Sequence, residues 1–161
     1  MTSSRSAAAS PVEPGIFSAD VAALPGSLDA DDFKTLFRGQ PGGVAVITAD
    51  DGSGPVALTA TSVASVSVDP PLLVFSVSAQ SSAAATILKS STVVVHLLDG
   101  DDLGVARLAS TSGVDRFADT STWSRLATGE PVYSGVRAWV RCAVVDRLAA
   151  GSATVVAAHA L

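Results

Sequence analysis

The chain has 161 residues, 48% hydrophobic and 16% charged, with a formal net charge of −5. That is apolar material for one domain with a real core, and it excludes a disordered chain. No cluster of Lys or Arg offers a basic face to nucleic acid or an anionic membrane, and the longest apolar runs are of strand length, short of the ~20 residues a membrane helix needs.

Residues 1–28, with Pro11, Pro14, Gly15, Pro25 and Gly26, read as a flexible N-terminal arm. Its opening carries one Arg in an Ala/Ser/Pro mixture without the apolar core of a signal peptide. Cys142 is the one cysteine, so no internal disulfide forms, which fits a reducing, cytoplasmic setting. The folded domain is expected over 29–161. Asp29 can cap a helix in which Phe33, Leu36 and Phe37 fall on one buried face. Gly39, Pro41, Gly42 and Gly43 end it.

Val44 to Thr48 and Val56 to Thr59 read as two strands joined by a Gly/Asp-rich turn, a hairpin. Val63 to Val68 alternates small polar and apolar residues. Asp69-Pro70-Pro71 interrupts the chain before a fully apolar strand, Leu72 to Val77. Ser82 is placed to cap a short helix ending near Lys89, with Ala84, Ile87 and Leu88 on one side. Thr92 to Leu98 is another strand, and Leu103, Ala106 and Leu108 suggest a helix over about Asp101 to Ala109, closed by Gly113. Residues 114–135 form a long irregular excursion holding Arg116, Phe117, Trp123 and Tyr133, and long loops of this kind are more often functional than idle. Then comes the clearest strand: Val136, Ala138, Val140, Cys142 and Val144 point one way, Arg137, Trp139 and Arg141 the other. Gly151 turns the chain into a last strand, Thr154 to Leu161. Six or seven strands with two or three short helices imply a β-barrel-like domain rather than a βαβ fold. The end at Leu161, inside an apolar strand, is expected of a chain truncated at its C-terminus.

The segment Thr59-Ala60-Thr61-Ser62-Val63-Ala64-Ser65-Val66-Ser67-Val68-Asp69-Pro70-Pro71-Leu72 carries little side-chain bulk. Small hydroxyl side chains let a flat ligand approach the backbone, with N–H and O–H groups free to donate. Composition alone equally allows a plain edge strand. His96 and His159 have no partners at metal-ligand spacing, so no metal site is expected. No Gly-x-Ser-x-Gly elbow occurs, and the Gly-rich 39–43 segment lacks the Gly-Lys-Ser/Thr of a phosphate loop. Cys142 reads as a small buried hydrophobe.

This segment resembles the signature of the short-chain flavin reductase family, Thr-Ala-Asn/Thr-Ser-x-x-Ser-Val-Ser-x-x-Pro-Pro. The likeness continues through Phe33 to Val46, Ser81-Ser82, Asp115-Arg116-Phe117, Trp123, Gly129-Glu130-Pro131 and Trp139-Val140-Arg141-Cys142. It implies a six- or seven-stranded antiparallel split β-barrel of the FMN-binding type with short flanking helices. It further implies FMN or FAD held between two copies of a homodimer, reduced by NADH or NADPH and passed to a partner monooxygenase. Carried over, Thr59, Thr61, Ser62, Ser65 and Ser67 would contact the flavin with backbone help from Ala60 and Val66. Ser81 and Ser82 would hold its phosphate, helped by the N–H groups of the following helix. Asn is common where Thr61 stands. Gly42 and Gly43 either let the backbone approach the flavin or are plain loop glycines. Arg116 and Phe117 lie on the family's nicotinamide side, unless Phe117 merely staples the loop to the core and Arg116 is solvated. The family's Gly-Asp-His-x-x-x-x-Gly is replaced here by Gly151-Ser152-Ala153-Thr154-Val155-Val156-Ala157-Ala158, leaving Ser152 and Thr154 as hydroxyl substitutes at the nicotinamide.

Overall fold

The computed structural model describes residues 29–38 and 42–161. The arm 1–28, the Gly39 and Pro41 breakers and the side chains of Leu36 and Phe37 lie outside the described part. Helix α1 spans Ala30–Arg38 and begins as expected: the Asp29 carboxylate accepts the Asp31 N–H at 2.8 Å. Phe33, expected on a buried face, is 54% exposed. Apolar spacing marks a helix face, but it does not say what covers that face.

The strands are β1 (Ala45–Ala49), β2 (Val56–Ala60), β3 (Ala64–Val68), β4 (Pro71–Ser78) and β5 (Thr92–Leu97), then β6 (Trp123–Arg125), β7 (Pro131–Tyr133), β8 (Ala138–Ala150) and β9 (Ala153–Ala160). Seven of them form one antiparallel sheet in the order β2-β1-β5-β8-β9-β4-β3, while β6 and β7 make a separate hairpin. That hairpin lies inside the stretch the sequence marked as irregular. Its three-residue strands are too short for any alternation to register. No helix of the described residues is long and apolar enough to cross a membrane.

Alternation divides the apolar residues between two cores. Ile47, Leu58, Phe75, Val95, Cys142 and Val156 gather in one, covered by Ile87 of α2 (Ala84–Lys89). Residues one step out of phase, Val46 and Ala57, join Ala109, Phe117 and Tyr133 in the second, under the hairpin and α3 (Leu103–Ser110). Each large buried side chain contributes about 1.5–3 kcal/mol relative to exposure. The helix expected from Asp101 divides into a tight turn, Gly100–Asp102, and α3. Ser82 does not cap α2: Ala83 occupies the cap position without a side-chain bond, and Ser81 makes the turn instead.

Two buried polar groups fasten the hairpin to the barrel. His96 contacts the Val46 carbonyl through Nδ1 and accepts the Tyr133 N–H on Nε2, both at 3.0 Å, which fixes the neutral Nδ1–H tautomer. Burial holds its basicity below the usual value, opposed by the bond to Val46. Both ring nitrogens are engaged by backbone groups, so this is a structural histidine. Glu130, 4% exposed, accepts from Thr92, Thr128 and Arg141, the last at 2.8 Å. Burial by itself would raise its pKa, but bonds from Thr128, Thr92, its own backbone and Arg141 prevail and push it down to about 2.

Candidate functional site

Two open cavities of about 240 and 370 Å³ share a wall made by Leu58, Thr59, Ser78 and Ser81, so they are two lobes of one groove. The first lobe is bounded by Thr61, Ser62, Ser76 and Ala153. The second continues past Ser82 to Ser110, Ser112, Gly113 and Arg116. Strand β2 brings Thr59 and Ala60 to the rim, and the turn after it carries Thr61 and Ser62. The end of β4 brings Ser76 and Ser78 alongside. Nearly every lining side chain is small, which is why a groove exists here.

Of the predicted residues, Thr59, Ala60, Thr61, Ser62, Ser81 and Ser82 meet in this groove. Several of their polar groups are already engaged. Thr59 donates its hydroxyl proton to the Ala106 carbonyl at 2.7 Å, leaving only lone pairs for a ligand. Ser62 Oγ accepts the Ser76 N–H at 2.9 Å, which pins the turn to β4 and keeps the Ser62 proton free to donate. Ser81 accepts the Ala83 N–H on Oγ and the Ala84 N–H on its carbonyl. Two of the N–H groups at the start of α2, those of Ala83 and Ala84, are therefore taken by Ser81 itself.

The rest of the hydroxyl ribbon lies elsewhere. In β3, Ser65 stands opposite Leu73 and Ser67 opposite Leu72, with a register shift between them. Consecutive β4 residues face opposite sides, so this bulge sends the two serines to opposite faces of the sheet. Val66 is the extra residue and is 60% exposed. None of the three lines either lobe. A Cβ on Gly42 would sit 3.6 Å from the Thr61 carbonyl oxygen, an ordinary contact, and one on Gly43 would meet nothing within 4 Å. Gly43 lines a separate cavity of about 140 Å³ with Val63 and Arg137.

Phe117 is buried, stacked on Tyr133 at 5.3 Å and edge-on to Trp123 at 4.9 Å. Its ring belongs to the second core and also borders a cavity of about 150 Å³ with Ser82, Val114 and Arg116. Arg116 is held in turn by its neighbours. Its carbonyl accepts the Tyr133 hydroxyl at 2.9 Å, and its guanidinium donates to the Thr111 carbonyl at 2.9 Å and Ser82 Oγ at 3.3 Å. Ser152 is exposed; its carbonyl accepts the Ala79 N–H at 2.9 Å, and the next residue, Ala153, reaches the groove. The sequence reading missed Ser76 and Ser78. The pattern Phe75-Ser76-Val77-Ser78 alternates, and a signal was present in what was read as uniformly apolar.

A model of the flavin reductase like domain matches residues 37–160. The chain is 40% identical over 127 residues to the NADH:FMN oxidoreductase of Rhodococcus qingshengii, a match covering 79% of this chain and 66% of that relative, so the chain spans just under two-thirds of it. Among solved structures it resembles a flavin reductase domain protein from Arthrobacter sp. FB24 (30% identity, TM-score 0.77, 81% of each chain covered). It also resembles BorF, the flavin reductase component of a bacterial two-component tryptophan halogenase (30% identity, TM-score 0.73, 83% of this chain and 85% of that one). The barrel, the hydroxyl-lined groove and these likenesses agree, and the chain belongs to the flavin reductase like domain family.

Proposed function

We propose that this chain is an NAD(P)H-dependent flavin reductase, and the observation that carries the reading is the two-lobed groove walled by Thr61, Ser62, Ser76, Ser78 and Ser81. One feature tests the fit of a flavin there. The Arg116 guanidinium lines the second lobe beside Ser82, so the groove sets a cation next to hydroxyl donors, as a phosphorylated flavin requires. FMN or FAD would be held by the hydroxyls of Thr61 and Ser62 at one lobe and Ser81 and Ser82 at the other, with Thr59 accepting. When bound, the flavin supplies the hydride-accepting ring, with NADH or NADPH as the donor. The protein's part is to orient both molecules and keep water from the reacting face. No side chain is required as acid or base, so plain serines and threonines suffice. The unit of function is the domain over 29–161, and it acts in the cytoplasm.

Two partners belong to this reading. The first is a second copy of the chain. Cross-strand pairing places Leu148 beside Val155 and Val155 beside Ser76, with Ala157 beside Val74. This partly exposed apolar face runs straight into the groove wall at Ser76, and a homodimer formed across it would close the open groove. The second is a monooxygenase that consumes the reduced flavin, a role supported by the likeness to BorF.

Ala153 favours a second reading, a flavin binder without turnover. It offers a methyl group to the groove where the family resemblance implies a histidine for the pyridine nucleotide. Titration with FMN and FAD by quenching of flavin fluorescence, followed by NADH and NADPH oxidation assays on the same preparation, separates the two. Saturable binding with nucleotide oxidation supports the reductase, binding without oxidation the second reading, and no binding refutes both.

A further inference from the structure

We infer that the mouth of the barrel beside Arg137 binds a small carboxylic acid with an apolar body, a ligand of benzoate size and charge, at a site separate from the flavin groove. The site is the cavity of about 140 Å³ between the start of β1, the end of β5 and the approach to β8. Val44, Ala45, Val63, Leu97 and Leu98 supply its apolar walls. Strand pairing fixes them: Ala45 stands opposite both Leu97 and Ala60, and the Leu98 N–H donates to the Val44 carbonyl at 3.1 Å. Gly43, also at the rim, contributes no side chain to close the mouth. A void of roughly 150 Å³ accepts a benzene ring, so there is room here for one ring.

Arg137 sets the charge of the ligand. The buried Asp102 carboxylate accepts the Arg137 N–H at 3.3 Å and the Asp99 N–H at 3.1 Å, so the backbone is tied down while the guanidinium is left over. Among the described residues the Arg137 side chain makes no hydrogen bond and no ion pair. The side chains of Arg116, Arg125, Arg141 and Arg147, by contrast, each donate to a carbonyl or a carboxylate. A guanidinium holds a carboxylate through two parallel N–H···O bonds while an apolar cavity takes up the hydrocarbon part. No Ser or Thr lines this cavity, which favours the two oxygens of a carboxylate over the larger donor demand of a phosphate. The site shares no lining residue with either lobe of the groove. It abuts the groove wall all the same: Val63 follows Ser62, whose Oγ accepts the Ser76 N–H.

The test compares sodium benzoate with benzyl alcohol, its uncharged counterpart, on the full chain labelled with nitrogen-15. Amide NMR shifts report where each binds and how tightly, in wild type, Arg137→Met and Arg137→Lys, with melting curves to confirm folding. Benzoate is expected to shift the Gly43, Val63, Leu97 and Leu98 amides saturably, and benzyl alcohol to bind at least about tenfold more weakly. Arg137→Met should weaken benzoate at least about tenfold and benzyl alcohol by less than about twofold, with partial recovery in Arg137→Lys. Saturating FMN should leave the mouth open to benzoate. Absence of shifts at the mouth, equal binding of the two probes, unchanged benzoate affinity in Arg137→Met, or competitive displacement of benzoate by FMN overturns the inference.

Discussion

Glu130 offers a quantitative test of how the hairpin is held. Its carboxylate lies at about 2 in the fold, against an ordinary value of 4.5. At about 1.4 kcal/mol per pH unit, that difference corresponds to about 3 kcal/mol of stability at neutral pH. The group is only 4% exposed, so little of this is lost to solvent screening. The sign follows from the open chain taking up its proton first. The contribution is complete above about pH 5 and fades as pH falls through 4.5 toward 2. Glu130→Gln keeps the size and removes the charge. Urea unfolding across this range is expected to show the variant about 3 kcal/mol less stable at neutral pH, with the gap closing in acid. Other carboxylates, including Asp50 beside Arg125, titrate equally in both proteins and cancel in the difference. A gap that stays constant from neutral pH to about pH 3 would refute the reasoning, because a purely steric role has no pH dependence.

Two further substitutions probe the groove and the second core. Ser78 stands at the waist shared by the two lobes and its side chain is exposed, so Ser78→Leu should leave stability within about 0.5 kcal/mol yet weaken FMN at least about tenfold in a fluorescence titration. Unchanged affinity would place the flavin elsewhere. His96→Phe strands the Tyr133 N–H in a buried setting, and should cost about 1–3 kcal/mol in urea unfolding. Wild type should also lose stability as pH falls below 6.5, because the open chain takes up the His96 proton before the fold does, and the variant lacks that component.

The fold was legible wherever one signal dominated. The apolar run before Phe75, the alternation around Cys142 and the Pro70-Pro71 interruption each specified a strand or its end, because burial on one or two faces leaves an unambiguous period. Local polar chemistry was harder to read. Ser82 looked like a cap, yet Ser81 supplies the turn bonds, since two adjacent serines compete for the same N–H groups. The ribbon from Thr59 to Ser67 looked continuous, but the bulge at Val66 divides it, and only its first part reaches the groove. A bulge adds one residue and reverses every facing after it, and nothing in a run of small residues betrays where that happens. Phe117 was readable as either staple or shield. Its packing against Tyr133 and Trp123, stacked on one ring and edge-on to the other, depends on a chain path that spacing does not encode.

The same facing argument bears on why the groove stands open. Leu148 is 39% exposed on a sheet face continuous, through Val155, with Ser76 at the groove. An isologous dimer buries this leucine twice, once from each copy. Only the exposed 39% of each leucine remains to be buried, about 1 kcal/mol per copy, so Leu148→Asp forfeits about 2 kcal/mol and raises the dimer dissociation constant roughly 30-fold before any cost of burying the carboxylate. If the second copy also walls the flavin site, sedimentation and FMN titration must report the change together: monomer at assay concentrations, with FMN affinity reduced at least about tenfold and the melting curve of the monomer still cooperative. A variant that becomes monomeric while binding FMN as wild type does would sever the dimer from the site, and one that stays dimeric would move the interface to another face.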